Sequence, residues 1–186
     1  MKGLVIKNTG SWYVVKIDDG SIVNCKIKGN FRLKGIRTTN PVAVGDMVEV
    51  AVKDDASYII GIEPRRNYII RKASNLSKES QILASNIDQA LLIVTLKEPV
   101  TNTTFIDRFL ATAEAYNVPV VIVINKVDLL SDADDHDYLE AVKSLYEIIG
   151  YKVIKMNALA GDGLEELQQA LAGKVTLLSG NSGVGK

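Results

Sequence analysis

The sequence predicts a small β-barrel followed by an α/β domain built on a parallel sheet. Two observations predict this division. The apolar pattern changes period near residue 88, from short β-rich runs broken by turn residues to strands alternating with helix-length amphipathic segments. The charge changes sign close to the same place. Residues 1–72 hold 13 Lys and Arg against 7 Asp and Glu, a net +6, and residues 73–186 hold 9 against 15, a net −6, so the zero net charge of the 186-residue chain hides two opposed halves. Such asymmetry suggests an N-terminal half that faces a polyanion and a C-terminal half with another task.

The N-terminal elements follow from β-branched and aromatic enrichment. Leu4-Val5-Ile6, Trp12 to Ile17 and Ile22 to Ile27 read as strands, with Asp18-Asp19-Gly20-Ser21 as the hairpin turn between the second and third. Gly45-Asp46 introduces a run from Met47 to Lys53, Asp54-Asp55 turns the chain, and Tyr58 to Ile62 returns it before Glu63-Pro64 stops the run. Five short strands in this length fit an antiparallel barrel of the OB type over residues 1–66. Strand counting leaves an SH3-like or sandwich module open. Trp12 and Tyr13 are neighbours on one strand and must point to opposite faces, one into the core and one outward. Residues 67–88 are mixed, with Arg71 and Lys72 followed by a polar stretch from Ser74 to Gln81, and read as a connecting segment.

Residues 89–186 then give a strand (Gln89 to Leu96), a helix (Thr103 to Tyr116), a strand (Pro119 to Ile124), a helix (Asp135 to Ile149), a strand (Lys152 to Met156), a helix (Leu164 to Leu171) and a strand (Val175 to Leu178). Strands alternating with helices of this length argue a parallel sheet with helices packed on it.

Composition excludes several classes. With 47% hydrophobic and 24% charged residues the chain is neither a disordered tail nor a coiled coil. One cysteine, Cys25, and one distant histidine, His136, can build neither a disulfide framework nor a Cys/His zinc site. A cytoplasmic protein is expected. Apolar runs such as Val118 to Ile124 fall well short of the roughly 20 residues that span a bilayer, and no membrane role is indicated. His136, in the acidic start of a helix, is given no role.

Three motifs carry chemistry, and each follows a strand of the same sheet. Gly180-Asn181-Ser182-Gly183-Val184-Gly185-Lys186 matches GxxxxGK after an apolar strand. Its glycines let the backbone curl so that successive N–H groups converge on phosphate oxygens, and its lysine adds a charge near the β- and γ-phosphates. A plain glycine-rich turn is the alternative. Asn125-Lys126-Val127-Asp128 stands at the carboxyl end of the strand Pro119 to Ile124, where open α/β sheets bind ligands. A carboxylate at Asp128 can accept two hydrogen bonds from the N1–H and exocyclic amine of guanine, an edge adenine lacks; a helix-capping turn is the alternative. Asn157-Ala158-Leu159 follows the strand Lys152 to Met156, with Gly161-Asp162-Gly163 before the next helix. In the barrel half, Lys26, Lys28, Arg32, Lys34 and Arg37, with Phe31 among them, form a basic stretch with an aromatic, suited to phosphate contact and base stacking on RNA or to a solvated loop.

These three motifs resemble the phosphate loop, the NKxD element and the SAx element of GTPases, with Asn157 in place of the usual serine and the Ala158 N–H toward the guanine carbonyl. Their order is reversed relative to ordinary GTPases, since Asn125 and Ala158 precede Gly180. A basic barrel before such a circularly permuted domain resembles the bacterial ribosome small-subunit-dependent GTPase family over the whole chain. Gly45-Asp46, Pro64-Arg65, Asn86-Ile87-Asp88 and Ile106-Asp107-Arg108 add to the resemblance.

The resemblance implies an enzyme that binds GTP and GDP with Mg²⁺, with guanine read by Asn125, Lys126, Asp128 and Ala158 and phosphate by Gly180 to Lys186. It implies hydrolysis of GTP on the maturing small ribosomal subunit, with the barrel on ribosomal RNA, by a protein expected to be a monomer. Family members carry a further C-terminal zinc domain. The sequence stops before that domain, before the switch elements and before the Ser or Thr that ligands Mg²⁺, so it is expected to be truncated and silent alone, and no catalytic residue is assigned. A non-catalytic RNA-binding module with a remnant GTPase domain, and a permuted GTPase with a non-ribosomal partner, remain as alternatives.

Overall fold

In the first unit, Met1–Asn86, five strands close on themselves. They are β1 (Lys2–Asn8), β2 (Tyr13–Ile17), β3 (Ile22–Ile27), β4 (Met47–Lys53) and β5 (Ala56–Ile62), joined around the barrel in the order β1-β2-β3-β5-β4. The structure is a computed structural model and describes residues 1–27, 41–53, 56–72 and 80–186. Four of the five pairings are antiparallel, and β3 runs parallel to β5. This is the closed five-stranded barrel of the OB type. Period-2 alternation fills it: Val5, Tyr13, Val15, Cys25, Val48 and Ile59 point inward and are buried. Of the adjacent aromatics, Tyr13 is 1% exposed and Trp12 is 46% exposed, so the first is core and the second is surface. Cys25 is buried, and burial pushes its thiol up from the ordinary value.

Residues 67–88, expected as a connection, hold secondary structure of their own. Strands β6 (Tyr68–Lys72) and β7 (Ser80–Ser85) form an antiparallel pair with Ile69, Ile82 and Ala84 buried. Their attachment to the barrel centres on Asp46, which is fully buried. Its carboxylate accepts from the Ala43 N–H at 2.8 Å, from Ser85 Oγ at 2.6 Å and from Arg65 Nε at 2.7 Å, with Arg65 Nη2 at 2.6 Å from the second oxygen. Gly45 makes the approach possible. It has φ +94, and a Cβ there would lie 2.0 Å from the Ser85 carbonyl oxygen.

The second unit, Ile87–Lys186, holds β8 (Gln89–Thr95), α1 (Thr103–Ala115), β9 (Val120–Asn125), α2 (Ala133–Ile148), β10 (Lys152–Lys155), α3 (Leu164–Leu171) and β11 (Thr176–Ser179). The sheet is parallel throughout, in the order β10-β9-β8-β11. β8 and β9 are buried along their whole length, which is why they read as unbroken apolar runs. Leu91, Ile93, Val121 and Val123 face α3, whose Leu167, Ala170 and Leu171 pack on them. Right-handed crossovers place α1 and α2 on the opposite side of the sheet, where the Tyr146 hydroxyl donates to Asp107 at 2.9 Å and joins the two helices. Helix starts follow capping chemistry: Asn102 accepts from the Thr104 N–H and Asp132 from the Asp135 N–H. No helix among the described residues is long and apolar enough to cross a membrane.

Replacing Arg65 by Ala leaves the Asp46 carboxylate buried without its cation. The expected loss is about 3–5 kcal/mol in the stability of the first unit, read by denaturant unfolding followed through tyrosine and tryptophan fluorescence. A loss under about 1 kcal/mol, the range of an exposed pair, would show that this pair does not hold the hairpin to the barrel.

Candidate nucleotide site

A parallel sheet brings all its strand carboxyl ends to one edge, and that edge collects the three motifs. Thr95 of β8 lies opposite Asn125 of β9, Ile124 lies opposite Lys155 of β10, and Leu92 of β8 lies opposite Ser179 of β11. The chain therefore leaves β10, β9 and, across β8, β11 at the same edge, into Asn157–Leu159, Asn125–Asp128 and Gly180–Lys186.

One side chain ties the three together. The Asn125 carboxamide is 4% exposed. Its Nδ2 donates to the Val184 carbonyl at 2.9 Å, and its Oδ1 accepts from the Ala158 N–H at 3.2 Å. The glycine-rich loop is shaped around this contact. Gly185 has φ +90, and a Cβ there would lie 2.5 Å from Asn125 Nδ2; Gly180 has φ +147, and a Cβ there would lie 2.2 Å from the Ile93 carbonyl oxygen. Val184 anchors the loop by burying its side chain against Leu91, Ile93 and Val123. Lys186 curls back and donates to the carbonyls of Gly180, at 3.0 Å, and Asn181.

Beside this loop lies a cleft of about 330 Å³ lined by Asn125, Lys126, Asp128, Ala158, Leu159 and Gly185, with Glu98, Leu129 and Asn157 at its margins. Lys126 takes a left-handed backbone, φ +61, and a short 3₁₀ turn over Val127–Leu129 follows. That turn aims an exposed Asp128 into the cleft. Capping of α2 falls to Asp132, so Asp128 is not spent on it. Asn157 performs the local task of a serine: its Oδ1 accepts from the N–H groups of Leu159 and Ala160, which leaves the Ala158 N–H turned to Asn125. The cleft thus brings together the Asp128 carboxylate, the side chains of Leu159 and Lys126, and Gly185 of the glycine-rich turn. A planar base with adjacent donors suits the first, and a phosphate suits the last.

Two contributors are not singled out by sequence reasoning. Leu159 enters it only as the last residue of its motif, yet it is 94% exposed and forms a wall. Glu98 belongs to no motif, and the one signal that marks it is position, since Lys97-Glu98-Pro99 follows a strand of the same sheet. Of the basic residues expected to meet RNA, Lys26 is described: it is exposed on β3, with its Nζ 4.4 Å from the centre of the Trp12 ring. Lys28, Arg32, Lys34 and Arg37 lie outside the described residues, as does Phe31. Among the described residues no group of three or more His, Cys, Asp or Glu could hold a metal ion.

The fold and the order of its motifs define the class as a circularly permuted GTPase domain behind an OB-type barrel. The chain belongs to the RsgA GTPase family. The family model described as RsgA GTPase matches residues 62–186, and that described as RsgA N-terminal domain matches residues 2–60. A protein of Bacteroides fragilis named small ribosomal subunit biogenesis GTPase RsgA is 61% identical over 187 residues, covering 100% of this chain and 60% of that protein. The protein of the same name from Porphyromonas gingivalis is 56% identical over 189 residues, with the same coverage of each chain. Among solved structures, YjeQ from Thermotoga maritima matches with a TM-score of 0.73 at 34% identity, covering 100% of this chain and 62% of that one. YloQ, described as a circularly permuted GTPase, matches with a TM-score of 0.69 at 31% identity, covering 99% and 61%. The chain spans about 60% of the length of the curated relatives it matches.

Replacing Asn125 by Ala removes the donor to Val184 and the acceptor for Ala158. The second unit is expected to lose about 1–3 kcal/mol, the range for a buried polar group left without its partner, measured by denaturant unfolding. Amide exchange should speed up at Ala158, whose N–H loses its acceptor. Unchanged exchange there would mean that the carboxamide does not hold that loop.

Proposed function

We propose that the protein binds guanine nucleotide in this cleft, hydrolyses GTP and assists maturation of the small ribosomal subunit in the cytoplasm, with its barrel on ribosomal RNA. The observation that carries the nucleotide part is the Asn125 carboxamide, which holds the glycine-rich loop and the Ala158 loop in one assembly. In this reading Asp128 accepts from the N1–H and exocyclic amine of guanine, the Lys126 stem covers one face of the base, and the Ala158 N–H, which donates to Asn125 Oδ1 here, turns to the guanine carbonyl when the base is bound. Gly180 to Lys186 wrap the phosphates, with Lys186 released from the Gly180 and Asn181 carbonyls to meet them. The loop suits that group because its curled, glycine-rich backbone leaves a concave turn beside the cleft. Magnesium bound with the nucleotide would neutralise charge that develops in phosphoryl transfer. The ribosomal part draws on the names of the relatives and on the positive N-terminal half, whose Lys26 and Trp12 offer a cation and an aromatic face on the barrel exterior. The experiment is phosphate release from GTP by the intact protein, with and without small subunits, against a Lys186→Ala control. Turnover equal to the control in both conditions would leave a non-catalytic RNA-binding protein.

Asp128→Asn is expected to lose GTP and gain xanthosine triphosphate, since xanthine carries a carbonyl where guanine has its amine. The loss for GTP should be about 1.5–3 kcal/mol, as for a hydrogen bond to a charged group. Fluorescent-nucleotide titration checks it, and unchanged GTP affinity would overturn the role of Asp128.

Replacing Lys26, Lys28, Arg32, Lys34 and Arg37 together by alanine should weaken binding to small subunits. It should also flatten the dependence on log salt, by up to about 0.7–0.9 for each phosphate group that the barrel no longer neutralises. Filter binding across a salt series measures both quantities. Wild-type affinity and slope in the variant would place the RNA-binding face elsewhere.

A further inference from the structure

The segment that follows β8 contributes Glu98 to the cleft and touches Lys126 of its lining and Gly183 of the glycine-rich loop. Thr95 Oγ1 donates to the Pro99 carbonyl, the Thr95 N–H donates to Thr101 Oγ1 at 3.2 Å, and the Thr101 N–H returns to the Thr95 carbonyl at 2.8 Å, so the loop is pinned at its base. Lys97 is ion-paired with Asp135 in the first turn of α2, which holds that carboxyl below its ordinary range. The Glu98 carbonyl accepts from Lys126 Nζ. Pro99 lies against the glycine-rich loop, where a Cβ on Gly183 would sit 3.4 Å from its Cδ. Between these two contacts stands Glu98, exposed, with a left-handed backbone of φ +44 that a non-glycine residue seldom adopts. Strain of that kind persists only where surrounding contacts fix it, and it concentrates at ligand clamps.

We infer that the Glu98 carboxylate accepts a hydrogen bond from a ribose hydroxyl of the bound nucleotide. The inference rests on the guanine-nucleotide reading of the cleft and deepens it. Its argument is positional and chemical. In the guanine-nucleotide reading the base lies against Asp128 and Ala158 and the phosphates against the glycine-rich loop; the Glu98 carbonyl meets Lys126, next to the first, and the adjoining Pro99 lies against Gly183 of the second. The sugar is the part of a nucleotide that lies between. A carboxylate is an acceptor with no proton to give, and it is repelled by the phosphates. The base has committed two of the three N–H donors on this edge, N1–H and one of the amine, to Asp128. The ribose hydroxyls are the donors left in that stretch, and an acidic residue on a ribose hydroxyl is a recurrent solution in nucleotide sites. The pinned loop presents the carboxylate without an ordering step on binding, which is the condition for such a hydrogen bond to add affinity.

The test compares GDP, 2′-deoxy-GDP and 3′-deoxy-GDP on the intact protein, as wild type, Glu98→Gln and Glu98→Ala, by calorimetric titration. Wild type is expected to bind GDP about tenfold or more tightly than at least one deoxy analogue, the range for a hydrogen bond to a charged group. In Glu98→Ala that preference should vanish while affinity for the same analogue stays within about twofold, and Glu98→Gln, which keeps an acceptor, should retain part of it. A preference for GDP that is as large in Glu98→Ala as in wild type overturns the inference and leaves the guanine site standing. Absence of binding by wild type to all three nucleotides overturns the guanine reading itself. Melting temperatures of the three proteins establish that each is folded, since Glu98 is exposed and carries no core packing.

Discussion

The site depends on a single carboxamide. Asn125 ends a strand buried along its whole length, so its side chain emerges in the interior of the sheet edge, nearly closed off from solvent. A buried amide must find both an acceptor and a donor. It finds the Val184 carbonyl on one loop and the Ala158 N–H on another. An aspartate would place a charge against the carbonyl, and an aliphatic residue would leave both backbone groups unmet. The requirement propagates outward. The carboxamide can approach Val184 because residue 185 has no Cβ, and Val184 stays within reach because its own side chain is fixed in the core against β8 and β9. The cleft is therefore shaped before any ligand arrives, which spares binding the entropy of ordering three loops.

The barrel unit has a comparable centre in Asp46. A carboxylate with no exposure is expensive to bury, and it is tolerated here because each oxygen has partners from separate parts of the chain: the turn at Ala43, the strand end at Ser85 and the guanidinium of Arg65. Arg65 Nη2 also donates to the Pro41 carbonyl at 2.7 Å. The Asn86 side chain adds a hydrogen bond to the Gly45 carbonyl and accepts from the Arg66 N–H. Gly45-Asp46, Pro64-Arg65 and Asn86 carry the family resemblance in the sequence, and in the structure they are members of one joint. Residues so far apart along the chain belong together because none of them is satisfied without the others.

How much of this is legible in the sequence follows from where the signals are strong. The barrel strands and the buried strands β8 and β9 are readable because alternation and unbroken apolar runs are direct consequences of burial on one face or two. The hairpin β6–β7 is not. Its apolar runs are three residues each, Tyr68-Ile69-Ile70 and Ile82-Leu83-Ala84, without alternation and set among Arg66, Arg71, Lys72 and a polar run, so period and composition both point to a connection. Its hydrogen-bonding partner Asp46 lies too far away in sequence for any local rule to find. At the site, Asn125, Lys126, Asp128 and Ala158 line the cleft together with Gly185, whereas Gly180 to Val184 and Lys186 of the glycine-rich loop do not line it, and Glu98 belongs to no motif. Its position depends on a loop folding back between two strand ends, which only the three-dimensional register of β8 against β9 and β11 determines.

The permuted order of the motifs becomes intelligible in the same terms. In a parallel sheet a strand's carboxyl end lies at the same edge whatever connection brought the chain there. β11 is the last strand in sequence, yet it pairs beside β8, the first of its unit, with Ser179 opposite Leu92. That register delivers the glycine-rich loop to within a hydrogen bond of the end of β9. The crossover that makes this possible is α3, which carries the chain from β10 at one end of the sheet order to β11 at the other and is held there by covering Leu91, Ile93, Val121 and Ile154. The site therefore requires four strand ends at fixed spacing and a glycine at each close approach, and it places no demand on which of its loops is translated first.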